Sequence, residues 1–121
     1  MAPNERLEAW KASHELVLAV YRGTVPWPEH ERFGLTSQIR RAAASVATNI
    51  AEGSAKRGGR EFRRYLDISL GSLAEVTYLL RLSRDLHYLD DKSWATLEGL
   101  RDRAGKLIWG LYRGMSRRAS P

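Results

Sequence analysis

Leu66, Leu73 and Leu80 stand at intervals of seven residues, and that interval limits the fold more than any other feature of the chain. Phe62, Ser69, Val76 and Ser83 fill the alternating steps of four and three between them. One row of apolar and small side chains therefore runs along about six turns of helix. Tyr65, Ile68, Leu79, Leu82 and Leu86 lie beside that row and make it wider than a helix touching one neighbour needs. The pattern predicts a helix over about 60–87 with contacts on more than one side.

Three other segments repeat the three-and-four spacing, and none of the chain alternates as a strand does. Leu7, Trp10, His14, Val17 and Tyr21, widened by Leu16 and Val20, predict a helix over about 5–22. Gly23, Pro26, Pro28 and Gly34 then make a stretch no helix crosses. Leu35, Ile39, Ala42, Val46, Ile50 and Gly53 predict a second helix over about 35–54, ended by the Gly58–Gly59 pair. Asp90 is a fitting N-cap for a fourth over about 91–116, carrying Trp94, Leu97, Ala104, Ile108, Leu111 and Met115. A chain of 121 residues is one domain's worth of core, so residues 1–121 are read as a single unit. Short connections favour neighbours running in opposite directions, and the expected fold is all-α, an antiparallel up-down-up-down four-helix bundle.

Composition removes several chemistries. There is no cysteine, hence no disulfide, thiol catalysis or thiolate metal site. No run of 18 apolar residues and no apolar signal region behind a positive start is present, so a soluble, cytoplasmic protein without a membrane partner is expected. A di-iron bundle would need Glu-x-x-His on two helices, which the chain lacks, and no metal or other cofactor is expected.

Charge points towards a partner. Twenty Lys and Arg oppose 14 Asp and Glu, for a net charge of +6. All but Lys11, Lys56, Lys92 and Lys106 are Arg, whose planar fork suits phosphate. In an up-down bundle the N-terminus, the loop between helices two and three, and the C-terminus share one end. Residues 1–12, 47–66 and 107–121 hold ten basic and four acidic side chains, and the remainder holds ten of each. The excess thus falls at one end, as Lys56, Arg57, Arg60, Arg63, Arg64, Arg113, Arg117 and Arg118. A cationic end with a Gly-Gly loop is suited to RNA or DNA backbone, where contacts need charge and reach but no base reading.

"SVATNIAEG", Ser45–Gly53, places polar groups against an apolar row. Ser45, Asn49 and Glu52 are three and four apart and form one seam; Ser69, Ser72 and Glu75 repeat it on the third helix, with Gly71 read as allowing close helix approach. The seams are expected to hydrogen-bond between helices or across subunits, in preference to a catalytic carboxylate pair, because no histidine or lysine shares the neighbourhood. Gly53 reads as a close-packing or helix-ending glycine. Arg81 and His87 have the Arg-x5-His spacing of the HEPN ribonucleases, a weak signal, since six residues apart need not share a helix face. His14 reads as a hydrogen-bonded interface histidine. Trp10, Trp94 and Trp109 read as core or subunit contacts, and Trp27, between two prolines, packs over the bundle end or on a neighbour.

Residues 33–76 carry "FGLT" at Phe33–Thr36, "QIRRA" at Gln38–Ala42, "NIAEG" at Asn49–Gly53, Glu61 with Phe62, and "GSLAE" at Gly71–Glu75. With Trp10, Tyr21, Pro28, Glu31 and "LHYLD" around them, this set resembles the four-helix-bundle family encoded in intervening sequences of bacterial large-subunit ribosomal RNA genes. Ala47 stands where that family often has Pro, and Gly58–Gly59 where a Ser or Thr cap is common. The resemblance implies an antiparallel bundle that assembles as a homopentameric ring, related to the accessory proteins of diversity-generating retroelements, which bind nucleic acid beside a reverse transcriptase. No catalytic activity is implied. The expected function is a non-enzymatic homo-oligomer that binds RNA or DNA through its basic end, with a reverse transcriptase as a candidate partner. A purely structural assembly protein without nucleic acid, and a HEPN-like ribonuclease, are the alternatives.

Overall fold

The computed structural model describes residues 3–119, without the side chains of Arg6 and of 116–119. Among the described residues the regular structure is helical, with no strand: α1 is Glu8–Gly23, α2 Leu35–Ser54, α3 Gly59–Asp85 and α4 Asp91–Ala119, with single 3-10 turns at Pro3–Arg6 and Glu29–Glu31. The first helix starts later than its periodicity predicts. Leu7 is extended, with φ −82° and ψ 127°, and divides the N-terminal turn from α1.

Each helix touches two others. α1 packs on α2 and α4, α3 packs on α2 and α4, and among the described residues the backbones of the diagonal pairs do not approach closely. The core draws on all four, with Leu16 and Val20 from α1, Ile39, Val46 and Ile50 from α2, Leu66, Val76 and Leu80 from α3, and Ile108 from α4 all fully buried. Each such side chain contributes about 1.5–3 kcal/mol relative to exposure.

The α3 row is buried as read, from Leu66 through Ser69, Leu73, Val76 and Leu80 to Ser83, with Phe62 half-buried. Its second stripe divides: Leu79 joins the core and Leu82 packs against it, while Ile68 and Leu86 are exposed. In α1 the buried face is displaced by one position. Ala9, Ala12, Ser13, Leu16 and Val20 face the core, and His14 and Tyr21 face solvent. Small side chains let α1 approach two neighbours at once, and the Trp10–His14–Val17 row is too bulky for that seat. The His14 ring stacks on Trp10, 5.0 Å between centroids and 7° from parallel.

Two glycines behave differently. A Cβ on Gly53 would lie 2.8 Å from both Phe62 Cδ1 and Tyr65 Cβ, so the last turn of α2 meets α3 through bare backbone. Gly71 has nothing within 4 Å of its would-be Cβ, and the reading of it as a close-approach residue is wrong. Ser69 and Leu73 point inward on either side of it, and two helical steps of about 100° turn Gly71 to solvent.

The polar seams meet. Ser45 Oγ and Ser72 Oγ are 2.7 Å apart, Asn49 Nδ2 donates to Ser45 O at 2.9 Å and Ser45 Oγ at 3.1 Å, and buried Ser69 donates to the Val46 carbonyl at 2.8 Å. Paired hydroxyls avoid the cost of burying a polar group without a partner and fix the α2–α3 register. Moving away from the 55–58 loop, Gly53 lies by Phe62, Val46 by Ser69 and Ser45 by Ser72. Glu52 and Glu75 leave the seam: both are exposed, Glu52 beside Trp10 and His14 in the α1–α2 groove and Glu75 at the rim of the α2–α3 groove.

Candidate nucleic-acid interface

The loop joining α2 to α3 is built by its glycines. Gly58 has φ 83° and ψ 159°, a region that is essentially glycine's alone. It turns the chain, and α3 begins at Gly59 without a side-chain cap. The first turns of α3 thus follow directly on Lys56 and Arg57.

Lys56, Arg57, Arg60 and Arg64 are exposed and Arg63 is half-buried. The Lys56 Nζ lies 5.5 Å and the Arg64 Cζ 5.9 Å from the centroid of Tyr65, and Arg63 Cζ lies 6.0 Å from that of Tyr112 on α4. Aromatic faces hold three of the cations through quadrupole attraction without neutralising them. Among the described residues the one ion pair in this group is Arg64 to Glu61 at 3.8 Å, with both partners largely exposed, a contact of little energetic weight.

Elsewhere pairing is more frequent, although Arg22, Arg40, Arg41, Lys92 and Arg113 have no ion-pair partner among the described residues either. Arg81 pairs with Asp85 at 3.1 Å, Arg84 with Asp91 at 3.5 Å, Arg101 with Glu98 at 3.0 Å, Arg103 with Glu15 at 3.4 Å and Lys106 with Asp102 at 3.0 Å. The Arg63–Tyr112 contact brings late α4 to the loop, and Leu7 and Glu8 of early α1 share a cleft with Gly110 and Leu111. Arg113 is exposed in the α3–α4 groove beside Lys106 and Trp109. The side chains of Arg117 and Arg118 lie outside the described residues.

Arg81 and His87 do line one shallow depression, with Arg84 and Asp85. Both have structural occupations. Asp85 accepts the Arg81 Nε–H at 3.1 Å, and His87 is the left-handed residue, φ 64°, that ends α3. Tyr88 N–H bonds to Ser83 O and His87 N–H to Arg84 O, each at 2.9 Å, the paired pattern of a Schellman stop. Asp90 caps α4 as read, its Oδ1 accepting the Ser93 N–H at 2.7 Å, and its carboxyl is lowered chiefly by that bond.

One polar group escaped the sequence reading. Glu31 Oε1 accepts the Leu35 N–H at 3.2 Å and Oε2 accepts the Tyr88 O–H at 3.0 Å. The backbone bond first and the Tyr88 bond second hold the Glu31 carboxyl below its ordinary value, and the same carboxylate raises Tyr88. Trp27 is buried against Tyr88, 5.7 Å between centroids, so it packs within its own chain, where the α1–α2 and α3–α4 connections meet. The one available signal was a glutamate four residues before a helix whose N-cap position, Gly34, has no side chain.

A helical protein whose α2–α3 loop and following turns carry Lys56, Arg57, Arg60 and Arg63 without an ion-pair partner among the described residues is thus defined by fold and surface. Residues 5–110 match the family of 23S rRNA-intervening sequence proteins, and the chain belongs to that family. A solved structure from Bacteroides thetaiotaomicron VPI-5482, of a protein with unknown function from the S23 ribosomal protein family, has a similar fold: TM-score 0.77 at 22% identity, covering 86% of this chain and 97% of that one. No curated protein matches the chain. Among the described residues no helix is long and apolar enough to cross a membrane.

Proposed function

We propose that this protein is a non-enzymatic, cytoplasmic nucleic-acid-binding bundle, antiparallel and up-down-up-down, that assembles as a homopentameric ring and holds RNA or DNA backbone at its cationic end. One observation carries the reading: Lys56, Arg57, Arg60 and Arg63 fall within eight residues and have no ion-pair partner among the described residues, whereas Arg81, Arg84, Arg101, Arg103 and Lys106 have one and Arg22, Arg40, Arg41, Lys92 and Arg113, which lack one, are less dense in the chain. Cations left free of carboxylates are available to phosphate, and each phosphate neutralised releases counterions. The opposed order of contacts along α2 and α3 supports the antiparallel arrangement. An RNA partner is favoured over DNA by the ribosomal-RNA link in the family's description. Surface left apolar supports self-association: Trp10, Val17, Ala44, Ala47 and Ala51 line the α1–α2 groove, and Tyr78, 63% exposed, stands on the outer face of α3. A ring would set several copies of the cationic end on one face and turn weak patches into a strong field.

The test is charge reversal. Arg57, Arg60 and Arg64 all changed to Glu should abolish binding of a labelled RNA by fluorescence anisotropy, with an unchanged circular dichroism spectrum. Arg81 and Arg84 changed to Glu should bind as the wild type does. The opposite pattern would place the site elsewhere.

A further inference from the structure

The α2–α3 groove lies on the flank of the molecule, apart from the cationic hairpin, and its lining has a different chemistry. Phe33 stands at its mouth and is 88% exposed, the most exposed large apolar side chain among the described residues. Gln38, Arg41 and Glu75 line the same groove, and none of the three side chains has a hydrogen-bond or ion-pair partner among the described residues. The floor is polar as well. Asn49 donates to Ser45 Oγ at 3.1 Å, and Ser45 and Ser72 share a hydrogen bond at 2.7 Å. Ser45 Oγ can accept from Asn49 and still either give a proton to Ser72 or take one from it, so either hydroxyl is the donor of their shared bond. The Arg32 guanidinium lies 5.3 Å from the Phe33 centroid, at the rim.

A flat aromatic face, an unpaired carboxylate, hydroxyl and amide donors and a free guanidinium together describe the needs of one unstacked nucleotide. Protein recognition of single strands uses this division: aromatic stacking for the base, hydrogen bonds for its edge and cations for its phosphate. The carboxylate selects among bases, because two carboxylate oxygens match two adjacent N–H donors, and guanine alone offers such a pair on its Watson–Crick edge, at N1 and N2. Gln38 Nε2, a donor without a partner among the described residues, then serves O6, an acceptor.

We infer that this groove is a binding site for a single guanine nucleotide, with Phe33 stacking on the base, Glu75 accepting from N1–H and N2–H, and Arg41 meeting the phosphate. The site does not depend on the cationic hairpin. On a single-stranded RNA held by that hairpin it would add base preference to a surface that otherwise reads only charge.

Guanosine 5′-monophosphate and the adenosine, cytidine and uridine monophosphates are titrated into 15N-labelled protein, and amide shifts are followed. Guanosine monophosphate is expected to move amides at 33–45 and 72–75 and to bind about tenfold tighter than the other three, the discrimination of one bidentate pair. Phe33→Ala should weaken all four nucleotides about tenfold through lost stacking. Glu75→Gln should erase the guanine preference while the other three bind as before. Both side chains are exposed, so both variants fold. The protein reversed at Arg57, Arg60 and Arg64 should bind guanosine monophosphate normally whether or not it loses RNA, so failure of either reading leaves the other standing. Shifts confined to 56–64, equal affinity for all four bases that survives Glu75→Gln, or silence at millimolar nucleotide would each overturn the site. So would a Phe33→Ala change in assembly mass without loss of nucleotide binding, which would make the groove a contact between copies.

Discussion

At the scale of single residues, Gly53 and Gly71 look alike in sequence and have opposite effects. Both lie inside helical runs, but Gly53 faces Phe62 and Tyr65 at contact distance and Gly71 faces open solvent. Gly53→Ala should cost about 1–3 kcal/mol, because the Tyr65 Cβ cannot move without its helix. Gly71→Ala should stabilise by about 0.5–1 kcal/mol, since alanine loses less backbone freedom on folding. Urea unfolding of the two variants measures both signs. Glu31 gives a pH dependence. Its carboxyl is lowered from 4.5, so its latch on Leu35 and Tyr88 is fully present above that value and is lost as pH falls through the lower folded value. Tyr88 is raised from 10.0, so the latch is also lost as pH rises through the higher folded value. Thermal melts of the wild type and Glu31→Gln should differ between those limits and converge in acid. A constant difference down to pH 2 would remove Glu31 from the account.

The elements were legible because heptad spacing, glycine pairs and proline clusters act locally. The α3 row, the break at Gly58–Gly59 and the Asp90 cap all follow from short-range rules. The face of α1 did not, since periodicity finds a stripe but not which of two adjacent stripes the neighbours can accommodate. Alanines at 9 and 12 decided that, through packing with α2 and α4. The candidate cations were legible as a cluster, but their freedom from carboxylates depends on which acids fold beside them. The groove under Phe33 was invisible, because its lining comes from two helices and a loop. The stop of α3 gives a test at this scale. A left-handed residue at 87 favours glycine, so His87→Gly should raise stability by about 1 kcal/mol. A ribonuclease site would instead show RNA cleavage by the wild type, lost in that variant.

For the whole molecule, the proposed ring and the proposed nucleic-acid surface are linked through repetition. Trp109, 49% exposed, and Tyr78 are large aromatic groups left facing outward by the chain's own packing, and a ring contact that joined such groups into one covered patch would bury them. Light scattering at moderate salt should give five times the 13.7 kDa chain mass. A monomer would remove the ring, while a dimer or tetramer would keep self-association and change its order. The central claim, that the cationic end binds nucleic-acid backbone, is tested most directly by the salt dependence of affinity for a single-stranded RNA. The plot of log K against log salt should fall linearly, with a slope of about −0.7 for each phosphate contacted. Replacing Arg57, Arg60 and Arg64 by Gln, which removes charge without adding repulsion, should flatten the slope by about 2 for each copy in contact with the strand. A variant that binds with the wild-type slope would show that these arginines meet no phosphate.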